Sequence, residues 1–129
     1  ATTDWVMPGA GAGEVTPLVA LHFRAPSDGW AWVAGTGYCN VPAAPGTTHY
    51  AVYVADRPDA GHDGALAGAS FVRFPQGGTQ AQTPFSASRA LQVRAGPNAA
   101  YLLFQNFSGL QGYSCQAQLV AFFTAARLP

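Results

Sequence analysis

From Leu18 onward, apolar and polar residues alternate with a period of two, broken at short intervals by turn residues. In "LVALHFRA", Val19, Leu21 and Phe23 share one side, and Ala20, His22 and Arg24 the other. Alternate residues of a strand point to opposite faces of a sheet, so this is a half-buried strand. The turn "APSDG" leads to "WAWVAGTGYCNV", and the loop "PAAPGTT" to "HYAVYVAD", where Tyr50, Val52 and Val54 fall together. After the Gly-rich loop "DRPDAGHDGALAG" come "ASFVRF", "PFSASRALQVRA", "AAYLLFQNF" and "SCQAQLVAFFTA", separated by "PQGGTQAQ", "GPN" and "SGLQGY". No stretch of helical length carries a 3.6-residue apolar period with caps. Seven or eight strands punctuated by turns predict an all-β fold: a two-sheet antiparallel β-sandwich, jelly-roll-like, over residues 18–129.

Residues 1–17 lack this alternation. Trp5, Val6 and Met7 precede Pro8 and the Gly-rich run to Gly13, which reads as an arm on a hinge. A disordered tail has little use for large apolar side chains. The expectation is an assembly arm that adds to the sheet edge of a neighbouring copy; the alternatives are packing on its own domain and disorder.

The stretch "DGWAWVAGTGYCN" sets Trp30, Trp32 and Tyr38 on one face and Val33 and Cys39 on the other. On the last strand Cys115, Ala117, Leu119, Ala121 and Phe123 share a face. Both cysteines therefore point inward, and the aromatic trio points away from the core unless a bulge at Gly35 or Gly37 resets the phase. Three readings of the trio stand: core, subunit interface, or a platform on which sugar rings stack.

Composition narrows the class. The 129 residues suit one domain, and 49% of them are hydrophobic. Only 9% are charged, the net charge is zero, and Lys is absent. That balance gives no electrostatic basis for nucleic acid or an anionic membrane, and no run is long enough to span a bilayer. So poorly charged a surface is easier to understand if copies cover one another. Cys39 and Cys115 are the only cysteines, and an even pair in a small β domain predicts one disulfide and an oxidising compartment. Closing that loop contributes on the order of 4 kcal/mol.

The strand rhythm of "FRAPSDGWAWVAG", "SRALQVRAGPNAAYLLF" and "NFSGLQGYSCQAQLVAFF" resembles the C1q/TNF-like jelly-roll family over roughly residues 18–125. The resemblance implies compact homotrimers with binding or structural work outside the cell and no catalysis. No signature motif is matched, and the two-cysteine pattern does not map onto it.

Chemistry is thinly marked. Asp56, Asp59, His62 and Asp63 cluster in one loop, but their spacing does not follow the calcium-loop template, so they read as a solvated turn. No nucleophile elbow, zinc-protease helix or phosphate loop occurs. His22 and His49 fall on strands, and all six acids fall in loops or the arm. "NFS" at 106–108 is a formal glycosylation sequon that reads as coincidence. The expectation is a non-enzymatic protein without cofactor, secreted or on a cell or virion surface. It would serve as a structural or adhesive subunit of a homo-oligomer, a trimeric head, fibre or filament. The alternative is a carbohydrate-binding module using the aromatic face.

Overall fold

The computed structural model describes residues 1–2, 5–9, 11–42, 48–61, 70–74, 81–109 and 111–125, with backbone alone for 48–49, 70–74 and 81. Among the described residues there are seven strands: β1 (Glu14–Ala25), β2 (Gly29–Val41), β3 (Thr48–Ala55), β4 (Ser70–Phe74), β5 (Ala81–Val93), β6 (Gly96–Asn106) and β7 (Ser114–Thr124). They form two antiparallel sheets, of order β1-β6-β3-β4 and β5-β2-β7. Only β3 and β4 are consecutive strands within one sheet; every other connection crosses between sheets. The protein is a two-sheet β-sandwich.

Alternation explains most of the packing. Val33, Cys39 and Val41 of β2, with Leu119 of β7, face Val52 and Val54 of β3 and Leu102 and Phe104 of β6 in one buried core. β3 is apolar on both faces. Its second face, Ala51, Tyr53 and Ala55, makes a smaller cluster with Leu103 on the outside of the four-stranded sheet. The Tyr53 hydroxyl donates to the Ala60 carbonyl at 2.6 Å, which holds the segment after β3 over that cluster.

Prolines and glycines mark the irregular places. Pro17 and Pro84 lie on β1 and β5, both edge strands, where a missing N–H costs no ladder bond. The register shift in the sheets falls between Pro17 and Val19, so Leu18 and Val19 are both buried. A bulge at Gly35 or Gly37 does not form; β2 pairs without a shift from Gly29 to Val41. Those glycines serve close approach instead. A Cβ at Gly35 would lie 2.7 Å from Leu102 Cδ1, and one at Gly37 would lie 2.1 Å from the Gln116 carbonyl oxygen. The space their missing side chains leave is filled by neighbours.

The boundary region is also more ordered than its glycines suggest. β1 begins at Glu14, so Glu14 to Pro17 belong to the sandwich and not to the arm. Pro8 is buried. The Gly9 N–H donates to Thr16 Oγ1 at 3.0 Å, and its carbonyl accepts from Asn106 Nδ2 at 3.3 Å. The expected hinge is a pinned turn.

Cys39 and Cys115 form the disulfide, bridging directly opposed residues of β2 and β7 with Cα atoms 4.1 Å apart. The bridge lies within one sheet, and both residues are fully buried.

At the same end of the core Tyr50 stacks on Phe104, with centroids 4.7 Å apart, and meets Tyr113 edge-on at 5.4 Å. Burial pushes the Tyr50 hydroxyl from about 10 up to about 12, against a hydrogen bond to Thr83 that pulls it down. The unfolded chain ionises this group near pH 10, while the folded one keeps its proton until about 12. Stability from this source is therefore intact below pH 10 and is lost as pH rises to 12, by about 3 kcal/mol in total. Urea melts across that range should show the decline, and Tyr50→Phe should flatten it relative to the wild type.

Candidate functional site

The outer face of the three-stranded sheet carries the candidate residues of β2. Parity along β2 sends Ala31, Val33 and Cys39 inward and Trp30, Trp32 and Tyr38 outward, as alternation predicted. Register then assigns their neighbours. Trp32 lies between Ala90 of β5 and Phe122 of β7. Ala34 lies between Ser88 and Val120, and Thr36 between Ser86 and Gln118. Tyr38 lies between Pro84 and Gln116. The face is thus graded from an aromatic end to a hydroxyl and carboxamide end.

Exposure shows that this is not core. Trp32 is 40% exposed and Phe122 66%. Trp30 and Tyr38 are half-buried. Among the described residues paired across this face from Trp30 to Tyr38, none is charged. Arg89 of β5 stands opposite the inward-facing Val33 and donates from Nη1 to the Val54 carbonyl at 3.4 Å.

Two open depressions run along β2. One, of about 510 Å³, lies on the β5 side and is lined by Trp32, Ala34, Gly35, Thr36, Ser86 and Ser88. The other, of about 250 Å³, lies on the β7 side and is lined by Thr36, Tyr38, Gln116, Gln118 and Thr2. Thr36 lines both. Tyr38 donates from its hydroxyl to Gln116 Oε1 at 2.7 Å, which fixes both side chains. The bond uses the Gln116 acceptor, so the side chain's NH2 donor is what it can offer a ligand.

Thr2 reaches the face because the arm runs along its own domain. Val6 pairs with Cys115 through two backbone hydrogen bonds of 2.8 Å; the Leu119 N–H donates to the Ala1 carbonyl at 2.8 Å, and the Ala1 amino group donates to the Leu119 carbonyl at 2.7 Å. The arm therefore extends the three-stranded sheet beyond β7. Val6 is half-buried against the core, Met7 is 79% exposed, and Trp5 is 48% exposed. Trp5 meets Tyr38 edge-on, with centroids 5.3 Å apart and planes at 81°.

The other candidates fall elsewhere. Asp56 and Asp59 are exposed in the loop after β3, while His62 and Asp63 lie outside the described residues. No group of three or more His, Cys, Asp or Glu comes together among the described residues. His22 is exposed on β1 against the Tyr101 ring. Asn106 of the sequon is fully buried, with Nδ2 on Gly9 and Oδ1 accepting from the Gly109 N–H at 2.9 Å. It is a structural residue that an attached glycan would displace from its place.

Sequence reasoning did not find Ser86, Ser88, Gln116, Gln118 or Thr2. Each looks like the ordinary polar half of a strand, and only the register sets it beside Trp32 or Tyr38.

No known family model matches the chain, and no curated protein does. Among solved structures it is similar to a CBM35 module in complex with a glucuronic acid-containing disaccharide. Identity is 12%, with 100% of this chain and 84% of that one covered and a TM-score of 0.39. It is also similar to a domain of tailspike protein 4 of bacteriophage CBA120, at 15% identity over 93% of this chain and 15% of that one, with a TM-score of 0.36. A Phanerochaete chrysosporium exo-β-1,3-galactanase matches at 17% identity over 95% and 26% of the two chains, with a TM-score of 0.32. Likenesses this distant say nothing about function.

Proposed function

We propose that the protein is a non-catalytic β-sandwich that binds neutral glycans through the outer face of its three-stranded sheet, outside the reducing cytoplasm. The observation that carries this is the depression on the β5 side. An exposed Trp32 stands in it with the hydroxyl residues Thr36, Ser86 and Ser88, over a floor of Ala34 and Gly35. An indole face offers a π surface to the apolar C–H side of a sugar ring. Hydroxyls both donate and accept, as sugar hydroxyls do. The described residues paired across this face carry no charge, which favours an uncharged ligand and gives a phosphate backbone nothing to bind there. Among those described residues there is no carboxylate or imidazole for general acid–base work, which supports binding without turnover. The disulfide supports an oxidising compartment.

The test is electrophoresis through gels containing soluble xylan, mannan, galactan or mixed-linkage glucan. At least one polymer should retard the wild-type protein. Trp32→Ala should lose that retardation by roughly tenfold or more in affinity, about 1.4 kcal/mol. Its melting temperature should stay within a few degrees, since exposed positions contribute little to stability. If Trp32→Ala unfolds the domain, Trp32 is core and the reading falls.

A second reading rests on Phe122, which is 66% exposed beside Val120 at 37%. This apolar end of the face is where copies would meet if the protein builds a trimer or fibre, as the C1q/TNF-like resemblance implies. Light scattering separates the two. A glycan-binding monomer keeps its mass at all concentrations, and Phe122→Ser leaves that mass unchanged. An assembling subunit loses mass on the same substitution.

A further inference from the structure

We infer that the two depressions form one continuous track that takes an extended internal run of a glycan chain, and that the N-terminal arm supplies the track's second aromatic station. This rests on the glycan reading above and goes beyond it to the length and mode of the ligand.

Three features point to a track and not to two separate pockets. Thr36 lines both depressions, so they meet at its side chain. The outward residues of β2 between the aromatic stations, Ala34 and Thr36, are small and leave a low floor. Neither depression is an enclosed cavity, so a chain can enter and leave along the strand.

The stations lie at the two ends. Trp32 stands at one and Tyr38 at the other, six residues apart on an unbroken strand, which is roughly 20 Å at 3.3 Å per residue. That span exceeds one or two sugar rings. The far station is built from two segments. Tyr38 is fixed by Gln116, and Trp5 of the arm packs against Tyr38 while remaining half exposed. The backbone bonds of Val6 to Cys115 and Ala1 to Leu119 hold the arm in this place, and Thr2 lines the track between those two anchors. Hydroxyl and carboxamide side chains occupy the middle, where the hydroxyls of a threaded chain would lie.

The experiment is calorimetric titration with a ladder from monosaccharide to hexasaccharide of whichever of the four polymers retards the protein. Wild type, Trp32→Ala, Trp5→Ala and Trp5→Phe are compared. Wild-type affinity should rise steeply beyond the disaccharide. Trp5→Ala should weaken the hexasaccharide by roughly tenfold, the value of one stacked ring, while leaving the disaccharide unchanged. Trp5→Phe, which keeps an aromatic face, should recover most of the loss. This pattern separates a ligand contact from a general loosening of the arm, which would not depend on ligand length. An affinity that is already maximal at the disaccharide, or one indifferent to Trp5→Ala, overturns the track and leaves glycan binding standing. Retardation by none of the polymers removes the glycan reading itself.

Discussion

Replacing both cysteines, Cys39→Ala with Cys115→Ala, is expected to lower the melting temperature by about 15 °C, from a loss of about 4 kcal/mol. The size follows from the sequence separation of 76 residues, since constraining a long loop removes much of the unfolded chain's freedom. A domain of this size holds only about 5–15 kcal/mol in all, so the loss is a large share. Because both residues are fully buried, reductant added to the folded protein should leave the bridge intact. The same reductant in denaturant should open it. Thiol labelling after each treatment, together with melts of the double variant, checks both statements. A drop of only a few degrees would mean that the ladder between β2 and β7 holds the sheet without the bridge.

Gly37→Ala is expected to destabilise the fold by about 3 kcal/mol or more, the cost of overpacking where nothing can yield. In most strand positions the same change is favourable by 0.5–1 kcal/mol or so, through backbone entropy. Here the new Cβ would lie 2.1 Å from the Gln116 carbonyl oxygen and 2.9 Å from the Ala117 Cα, both backbone atoms of β7. Strand β7 would have to leave its register with β2 to make room. Gly35→Ala is the control. It meets the Leu102 methyls, the free end of a side chain that can turn aside, and should cost clearly less. Urea midpoints of the two variants give the ranking, and equal costs would show that the sandwich breathes enough to absorb either.

Much of this architecture was legible in the sequence, for a physical reason. Strands β1, β2, β5 and β7 each have one wet face, so burial writes a period of two into the chain, and "LVALHFRA" or "SCQAQLVAFFTA" can be read directly. The disulfide was legible because parity turned both cysteines inward. The arm was not. A segment that joins a sheet through the Ala1–Leu119 and Val6–Cys115 pairs, with Val6 and Pro8 its covered residues among those described, buries too few side chains to impose alternation. The bulge was sought at the glycines and lies at Pro17, because Gly35 and Gly37 answer to the residues packed against them. Of the candidate site, the aromatic members were visible as conspicuous residue types. Their polar companions were not, since serines and glutamines on a solvent face look alike until strand order is known.

The position of the disulfide also decides how the chain bears tension. Pulled from its two ends, the backbone transmits force through Cys39 and Cys115, and everything between them is shunted by a covalent bond. The molecule can lengthen only through the residues before Cys39 and those after Cys115; the loop of 76 residues cannot pay out. The bridge joins β2 to β7, the strands that carry Trp32 and Phe122. Trp32 and Phe122 lie on the extensible side of that bridge, so a load on the chain ends can open the β2–β7 ladder between them only as far as Cys39 and Cys115.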